Sequence, residues 1–213
     1  QAWPFTMDDS FITFRYARNL AEGNGPVFNT GEPPAEGYTS FLWVLVMAVP
    51  HLLGLNVVVF AKVLGAAAAA ACAAVIYLLT LRMTGFLKNG RHVFAALGAM
   101  AFCAFPNVAL HAVSGMETAL FTLLLASLFY FVDRLRGNPS TGNAALLSVN
   151  CLLAGLARPE GNLVSVAAAV AVFFLIPKDG RRKLGIFLLL LYVLPGGIYF
   201  LWRSVYYGHL FPL

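Results

Sequence analysis

The chain has 213 residues, of which 60% are hydrophobic and 11% charged, and its mean hydropathy is +0.79. A water-soluble domain needs about 25% charged residues to cover its surface, so lipid must be most of this protein's solvent. Apolar runs near the roughly 20 residues that carry a helix across the hydrocarbon core, without alternating strand patterns, predict an all-α, polytopic bundle of transmembrane helices. The formal charge of +5 does not point to nucleic acid, because the basic residues sit in short loops between apolar runs. Cys72, Cys103 and Cys151 lie inside apolar runs without ligand-like spacing and read as small hydrophobes rather than metal ligands or disulfide partners. The opening at Gln1 and the end at Leu213 in mid-pattern suggest a larger parent protein.

Taken in chain order, residues 1–55 form a polar, Gly- and Pro-bearing loop with amphipathic segments, and 56–213 form the bundle. Within the loop, 10–20 (SFITFRYARNL) reads as a short interfacial helix, with Phe11, Phe14 and Ala17 on one stripe. Asp9 or Ser10 is its expected cap, and the glycines at 23 and 25 its expected end. Seven apolar segments follow, at 40–54, 57–81, 92–111, 116–132, 143–157, 161–177 and 184–202. The alanine run 66–71 predicts close helix contact.

Loop charge sets the expected orientation. The loops 82–91, 133–142 and 178–183 hold nine of the fourteen Lys and Arg residues, against only Asp133 and Asp179. The positive-inside tendency places all three in the cytoplasm. Consistency then requires that 40–54, short and bearing Pro50 and His51, does not cross, which leaves about six spans. Seven of the nine acids fall on the outer side, led by Asp8 and Asp9.

Four polar clusters share that outer side: 7–10 (MDDS), 114–118 (SGMET), 157–161 (ARPEG) and 203–209 (RSVYYGH). Two adjacent carboxylates at a membrane surface repel each other, a setting in which one can accept a proton or coordinate a cation. A nearby arginine suits a phosphate, which it grips in bidentate fashion. Tyrosines, Trp43 and Trp202 suit stacking on a sugar or lining a lipid entry. Each cluster also has a plain reading: Asp8 and Asp9 as an N-cap, Glu117 as a second cap, Arg158 with Glu160 as a solvated turn, and Arg203, Tyr206 and Tyr207 as interfacial anchors. Lys62 reads as a snorkelling side chain. The four histidines have no spacing that suggests a metal site, and the acids leave room for a divalent cation as the one conceivable cofactor.

The order of the clusters carries a resemblance. The runs 8–20 (DDSFITFRYARNL), 23–29 (GNGPVFN) and 36–43 (EGYTSFLW), followed by 114–121 (SGMETALF), 156–161 (LARPEG) and 203–212 (RSVYYGHLFP), resemble the outer loops of bacterial GT-C-type glycosyltransferases. They are most similar to mycobacterial-type terminal arabinofuranosyltransferases. The resemblance implies transfer of a sugar from a polyprenyl-phosphate donor to a glycan, lipid or protein acceptor, on the outer face of the plasma membrane. It implies a base in the first outer loop, which Asp8 matches best and Asp9 second, and juxtamembrane helices at 10–20 and 40–54. Arg158 and Arg203 would then hold donor phosphate. Arg15, Tyr38, Glu117, Glu160, Tyr206 and Tyr207 would contact substrate. The family's first span before Asp8 and its later spans are not represented here.

Such a transfer needs a base, an acceptor hydroxyl in line, and stabilisation of the departing phosphate. It needs no nucleotide site, and no Gly-rich phosphate loop occurs on the basic side. Two other classes fit the composition: a non-catalytic subunit of a membrane assembly, and a transporter or flippase. Transporters place charge at mid-membrane, whereas these acids lie at span ends.

Overall fold

A computed structural model describes residues 3, 5–87 and 89–209, and among these residues every regular element is helical. Helix α1 (Asp9–Ala21) buries Ser10, Thr13, Phe14, Tyr16, Ala17 and Asn19, a face with helical periodicity. It packs on α2 (Phe41–Leu52), which starts at Ser40, whose hydroxyl accepts the Trp43 amide at 3.2 Å. Twelve residues rise only about 18 Å, which is too short to cross a bilayer.

Helix α3 (Val57–Met83) buries Ala61, Lys62, Gly65, Ala68 and Cys72. Apart from Lys62 these are small residues at three- and four-residue spacing, which lets backbones approach. The alanine run expected to make that contact contributes only Ala68. The close approach falls at Gly65 instead, where a Cβ would stand 2.3 Å from the Ala112 carbonyl oxygen.

The predicted segment 92–111 is in fact two helices, α4 (Arg91–Ala104) and α5 (Pro106–Ala112), bent by 65°. Pro106 is the cause: its ring forces Phe105 out of the helical region, to φ −75° and ψ 118°. Helices α6 (Thr118–Gly137), α7 (Thr141–Ala157) and α8 (Pro159–Leu175) follow. The chain ends in α9 (Lys178–Leu188), a π-helical turn (Leu189–Val193) and α10 (Leu194–Tyr207), which together run as one helix of 30 residues. Pro195 explains the turn, since its ring would clash with the carbonyl of Leu191 in a regular helix, and the wider turn relieves that clash. The basic stretches 133–142 and 178–183 were expected as loops. Most of each is helix, because α6 runs on to Gly137 and α9 begins at Lys178.

Helices α3, α6 and α9–α10 are long and apolar enough to cross a membrane, and α4–α5 makes a fourth if the bent pair counts as one span. Helices α7 and α8 have 17 residues each, about 25 Å, at the lower limit for crossing. Large apolar side chains face outward along them, with Val205 85%, Leu163 75% and Phe174 70% exposed. That surface suits lipid, and the protein is a multi-pass membrane protein.

The helices alternate so that polar segments gather at two ends. At the basic end, Arg82 of α3 pairs with Asp133 of α6 at 2.6 Å, and Arg136 joins at 3.2 Å. The start of α9 lies against the α6–α7 connection, since a Cβ on Gly180 would meet Pro139 at 2.7 Å. Lys88, expected at this end, lies outside the described residues. The opposite, acidic end carries α1, α2 and the 113–117, 157–160 and 203–207 segments.

Candidate active site

At the acidic end the chain before α1 and the turn before α6 hold each other. The Met7 amide donates to the Ser114 carbonyl at 2.9 Å, and the Ser10 hydroxyl donates to the Met7 carbonyl at 2.6 Å. Gly115 has φ +84°, and a Cβ there would meet the Ser10 side chain at 3.1 Å, so the turn requires glycine twice over. The Trp43 indole N–H donates to the Gly115 carbonyl at 2.9 Å. Trp43 is 1% exposed, so it clamps this turn and does not offer a stacking face.

Glu117 follows directly. Its side chain is 2% exposed and makes no capping bond to α6. Oε1 accepts Nε and Nη2 of Arg158, at 2.8 and 2.6 Å. Arg158 also reaches the Thr118 hydroxyl at 3.3 Å and lies over the Phe121 ring, while Nη1 has no partner among the described residues. The expected local pairing of Arg158 with Glu160 is absent. Glu160 is exposed in the first turn of α8, where the helix dipole favours an acid.

Arg203 has the same kind of commitment. Its guanidinium grips Glu36 with both arms, Nε to Oε1 at 2.7 Å and Nη2 to Oε2, and both side chains are nearly fully buried. Glu36 was counted among the outer acids but not among the candidate site residues. Around this pair, the Tyr207 hydroxyl donates to the Pro26 carbonyl at 2.7 Å, so it must accept from Tyr38 at 3.1 Å. Burial, reinforced by that bond, pushes the Tyr38 phenol well above its ordinary pKa. Tyr16 donates to the Ala35 carbonyl at 2.7 Å and accepts the Gly37 amide at 2.8 Å. Tyr206 stacks on Trp202, and its hydroxyl lies against Gly25. Tyr38, Arg203, Tyr206 and Tyr207 therefore fasten loop 22–38 to the end of α10.

Lys62 does not snorkel. It is 5% exposed, and its ammonium donates to the carbonyls of Trp3 and Phe5 at 2.7 and 2.9 Å. This lysine ties the backbone of Trp3 and Phe5, ahead of Asp8, down onto α3.

Against this background Asp8 and Asp9, like Glu160, differ from the buried acids. Both are exposed, and neither side chain makes a hydrogen bond or ion pair among the described residues. The capping reading does not hold for Asp8, which sits at the N-cap position with helical angles, φ −59° and ψ −39°, and accepts no capping bond. Those angles put Asp8 in register with α1. Arg15, seven residues on, returns to within about 20° of the same direction, and Phe11, Arg18 and Glu22 continue that side. Asp9 is turned about 100° away from Asp8, to the opposite side.

A groove of about 560 Å³ runs along this face of α1, lined by Phe11, Arg15, Arg18, Glu22, Phe28 and His51 among others. Arg15 lies over the Phe28 ring at 4.2 Å and donates to the Phe28 carbonyl at 2.7 Å and to Asn29 Oδ1 at 2.6 Å. Arg18 pairs with Glu22 at 2.8 Å. His51 Nε2 is buried without a regular hydrogen bond among the described residues, though the ring interacts with the Phe14 carbonyl, and burial holds this histidine below the ordinary range. A second groove, apolar and about 460 Å³, opens on the side of the bundle between α7, α8 and the π-helical turn. Its lining includes Gly155 and Leu156, two residues short of Arg158. Behind Glu117, a cavity of about 170 Å³ at the α4–α5 bend is lined by Asn107, His111, Thr118 and Thr122 among others. Among the described residues, His, Cys, Asp and Glu do not gather in threes fit for a metal ion.

Fold and site together define a polytopic helical membrane protein with an ordered polar assembly at one end, on which Asp8, Asp9 and Glu160 are carboxylates without a partner among the described residues. The sequence is 30% identical, over 219 aligned positions, to the terminal β-(1→2)-arabinofuranosyltransferase of Mycobacterium tuberculosis (strain ATCC 25618 / H37Rv). The similarity covers 96% of this chain and 33% of that protein, so the chain spans about a third of its relative's length. It is a glycosyltransferase-like relationship. No family model matches the sequence, and no solved structure matches it.

Proposed function

We propose that this chain is part of an integral membrane glycosyltransferase of the GT-C type, which moves a sugar from a polyprenyl-phosphate donor to an acceptor, with Asp8 as base. A pentose such as arabinofuranose is the first donor sugar to test, given the relative. The observation that carries the reading is the contrast between Asp8 and the buried acids around it. Glu36 and Glu117 are neutralised by arginines, whereas Asp8 is exposed and unpaired among the described residues, next to Met7, whose amide is bonded to the Ser114 carbonyl. A base must keep its lone pairs free for substrate.

The apolar side groove suits the donor's prenyl chain, and it leads toward Arg158. The half-engaged guanidinium, whose Nη1 has no partner among the described residues, suits the donor phosphate. The acceptor hydroxyl gives its proton to Asp8, and its oxygen forms a bond to the anomeric carbon. The bond from that carbon to the phosphate oxygen breaks, and polyprenyl phosphate departs with its charge offset by Arg158. Arg203, already closed on Glu36, serves to hold loop 22–38 in this reading. The acidic end would face out of the cell and the basic end the cytoplasm. The test is incubation of the full-length protein with polyprenyl-phosphate pentose and hexose donors and glycan acceptors, with products identified by mass spectrometry. Sugar appearing on an acceptor supports the reading. Intact donors after prolonged incubation contradict it. Cysteine labelling of Glu32→Cys from outside the cell and of Asn138→Cys only after permeabilisation checks the sidedness, and the reverse pattern overturns it.

A further inference from the structure

The groove along α1 has a lining unlike that of a phosphate site. Its two arginines are already engaged, Arg18 by Glu22 and Arg15 by a carbonyl and an amide oxygen. What it offers is a row of planar polar groups, the rings of Phe11, Phe14 and Phe28, and a buried imidazole nitrogen without a regular hydrogen bond among the described residues. Planar hydrogen-bonding groups interleaved with aromatic faces match the hydroxyls and apolar faces of a neutral carbohydrate. The volume lies within the roughly 300–1,000 Å³ of ligand sites. From Phe11 to Glu22 the groove extends about 16 Å along the helix axis, which is long enough for more than one sugar unit. Its near end lies one turn from Asp8, on the side Asp8 shares and Asp9 does not.

We infer that this groove seats the acceptor as an extended glycan chain, laid along α1 with its reactive end at Asp8 and its far end at Arg18 and Glu22. The inference rests on the glycosyltransferase reading and adds the acceptor's class, its path and its polarity. The groove's rim carries one positive charge in excess, so an anionic lipid headgroup is the competing occupant, which the test includes as an outcome.

The far end supplies the test, because Arg18 and Glu22 are exposed and removing both leaves no lone charge behind. The full-length protein in nanodiscs is assayed with an arabinofuranosyl disaccharide and a tetrasaccharide, as wild type and as R18A/E22A. The wild type is expected to favour the tetrasaccharide. In the variant the KM for the tetrasaccharide rises at least tenfold, while the KM for the disaccharide and the KM for the donor stay put. Equal KM values for the tetrasaccharide in both proteins overturn the inference, as does a rise confined to the donor. Loss of acceptor binding on addition of anionic phosphatidylglycerol nanodiscs, with no preference for length, assigns the groove to a headgroup instead. Saturation-transfer NMR with the tetrasaccharide and no donor reads the groove separately. Contact in the wild type and none in R18A/E22A upholds the groove even if no transfer occurs, in which case it is the enzyme reading that fails. No contact in the wild type overturns the groove even if transfer occurs.

Discussion

The two ends of this bundle use the same residue types for different purposes. At the basic end the ion pairs are wet: Arg82 and Arg136 are 41% and 60% exposed beside Asp133, and Asp179 is 81% exposed beside Lys183. Such pairs contribute little to stability; under the proposed sidedness the charge there would serve to orient the chain in the membrane. At the acidic end the pair Arg18–Glu22 on α1 is wet as well, but two buried acids are paired, Glu36 at 7% exposed with Arg203 at 6%, and Glu117 at 2% with Arg158 at 33%. Desolvating a charge is costly unless its partner is present. A protein that buries two paired acids at one end and leaves Asp8 and Asp9 there without partners among the described residues has fixed a frame around the exposed acids.

The largest stability effect expected from this comparison is at Glu36. Glu36→Gln removes the carboxylate charge facing the buried Arg203 guanidinium and should cost about 3–5 kcal/mol, seen as a loss of folded protein and a lower melting temperature in detergent. Glu117→Gln should cost less, about 1–3 kcal/mol, because the Arg158 side chain is 33% exposed and can turn to water. Trp43→Phe removes one hydrogen bond to the Gly115 carbonyl while keeping most of the ring, for about 1 kcal/mol, with activity falling further than stability if the turn positions Asp8. Arg82→Ala, at the basic end, should change the melting temperature by the equivalent of about 0–1 kcal/mol. If Arg82→Ala proves as damaging as Glu36→Gln, the contrast between the ends collapses.

The class and the sorting of charge were legible because both follow from composition and from where basic residues fall between apolar runs. Helix α1 was legible from the spacing of Phe14 and Ala17, although Phe11 of the same expected stripe is 51% exposed, and Pro106 marked a break that the apolar run 92–111 masked. The wiring of the acidic end was not legible. Glu36 and Arg203 are 167 positions apart and Glu117 and Arg158 are 41 apart, and nothing local in either chain segment distinguishes a buried, paired acid from a solvated one. Lys62 read as a snorkelling side chain because its partners are backbone carbonyls of a segment that crosses over it. The register that separates Asp8 from Asp9 depends on α1 starting early enough to include Asp8 in its helical geometry, a matter of one residue that capping rules do not resolve.

That separation is the account's central claim, and it is measured most directly by transfer assays on Asp8→Asn and Asp9→Asn side by side, in full-length protein normalised for folded amount. Loss of a general base lowers transfer by about 10²–10⁴-fold. The account predicts a loss in that range for Asp8→Asn, and for Asp9→Asn a loss of less than tenfold. Full activity in Asp8→Asn, or the larger loss in Asp9→Asn, would contradict it.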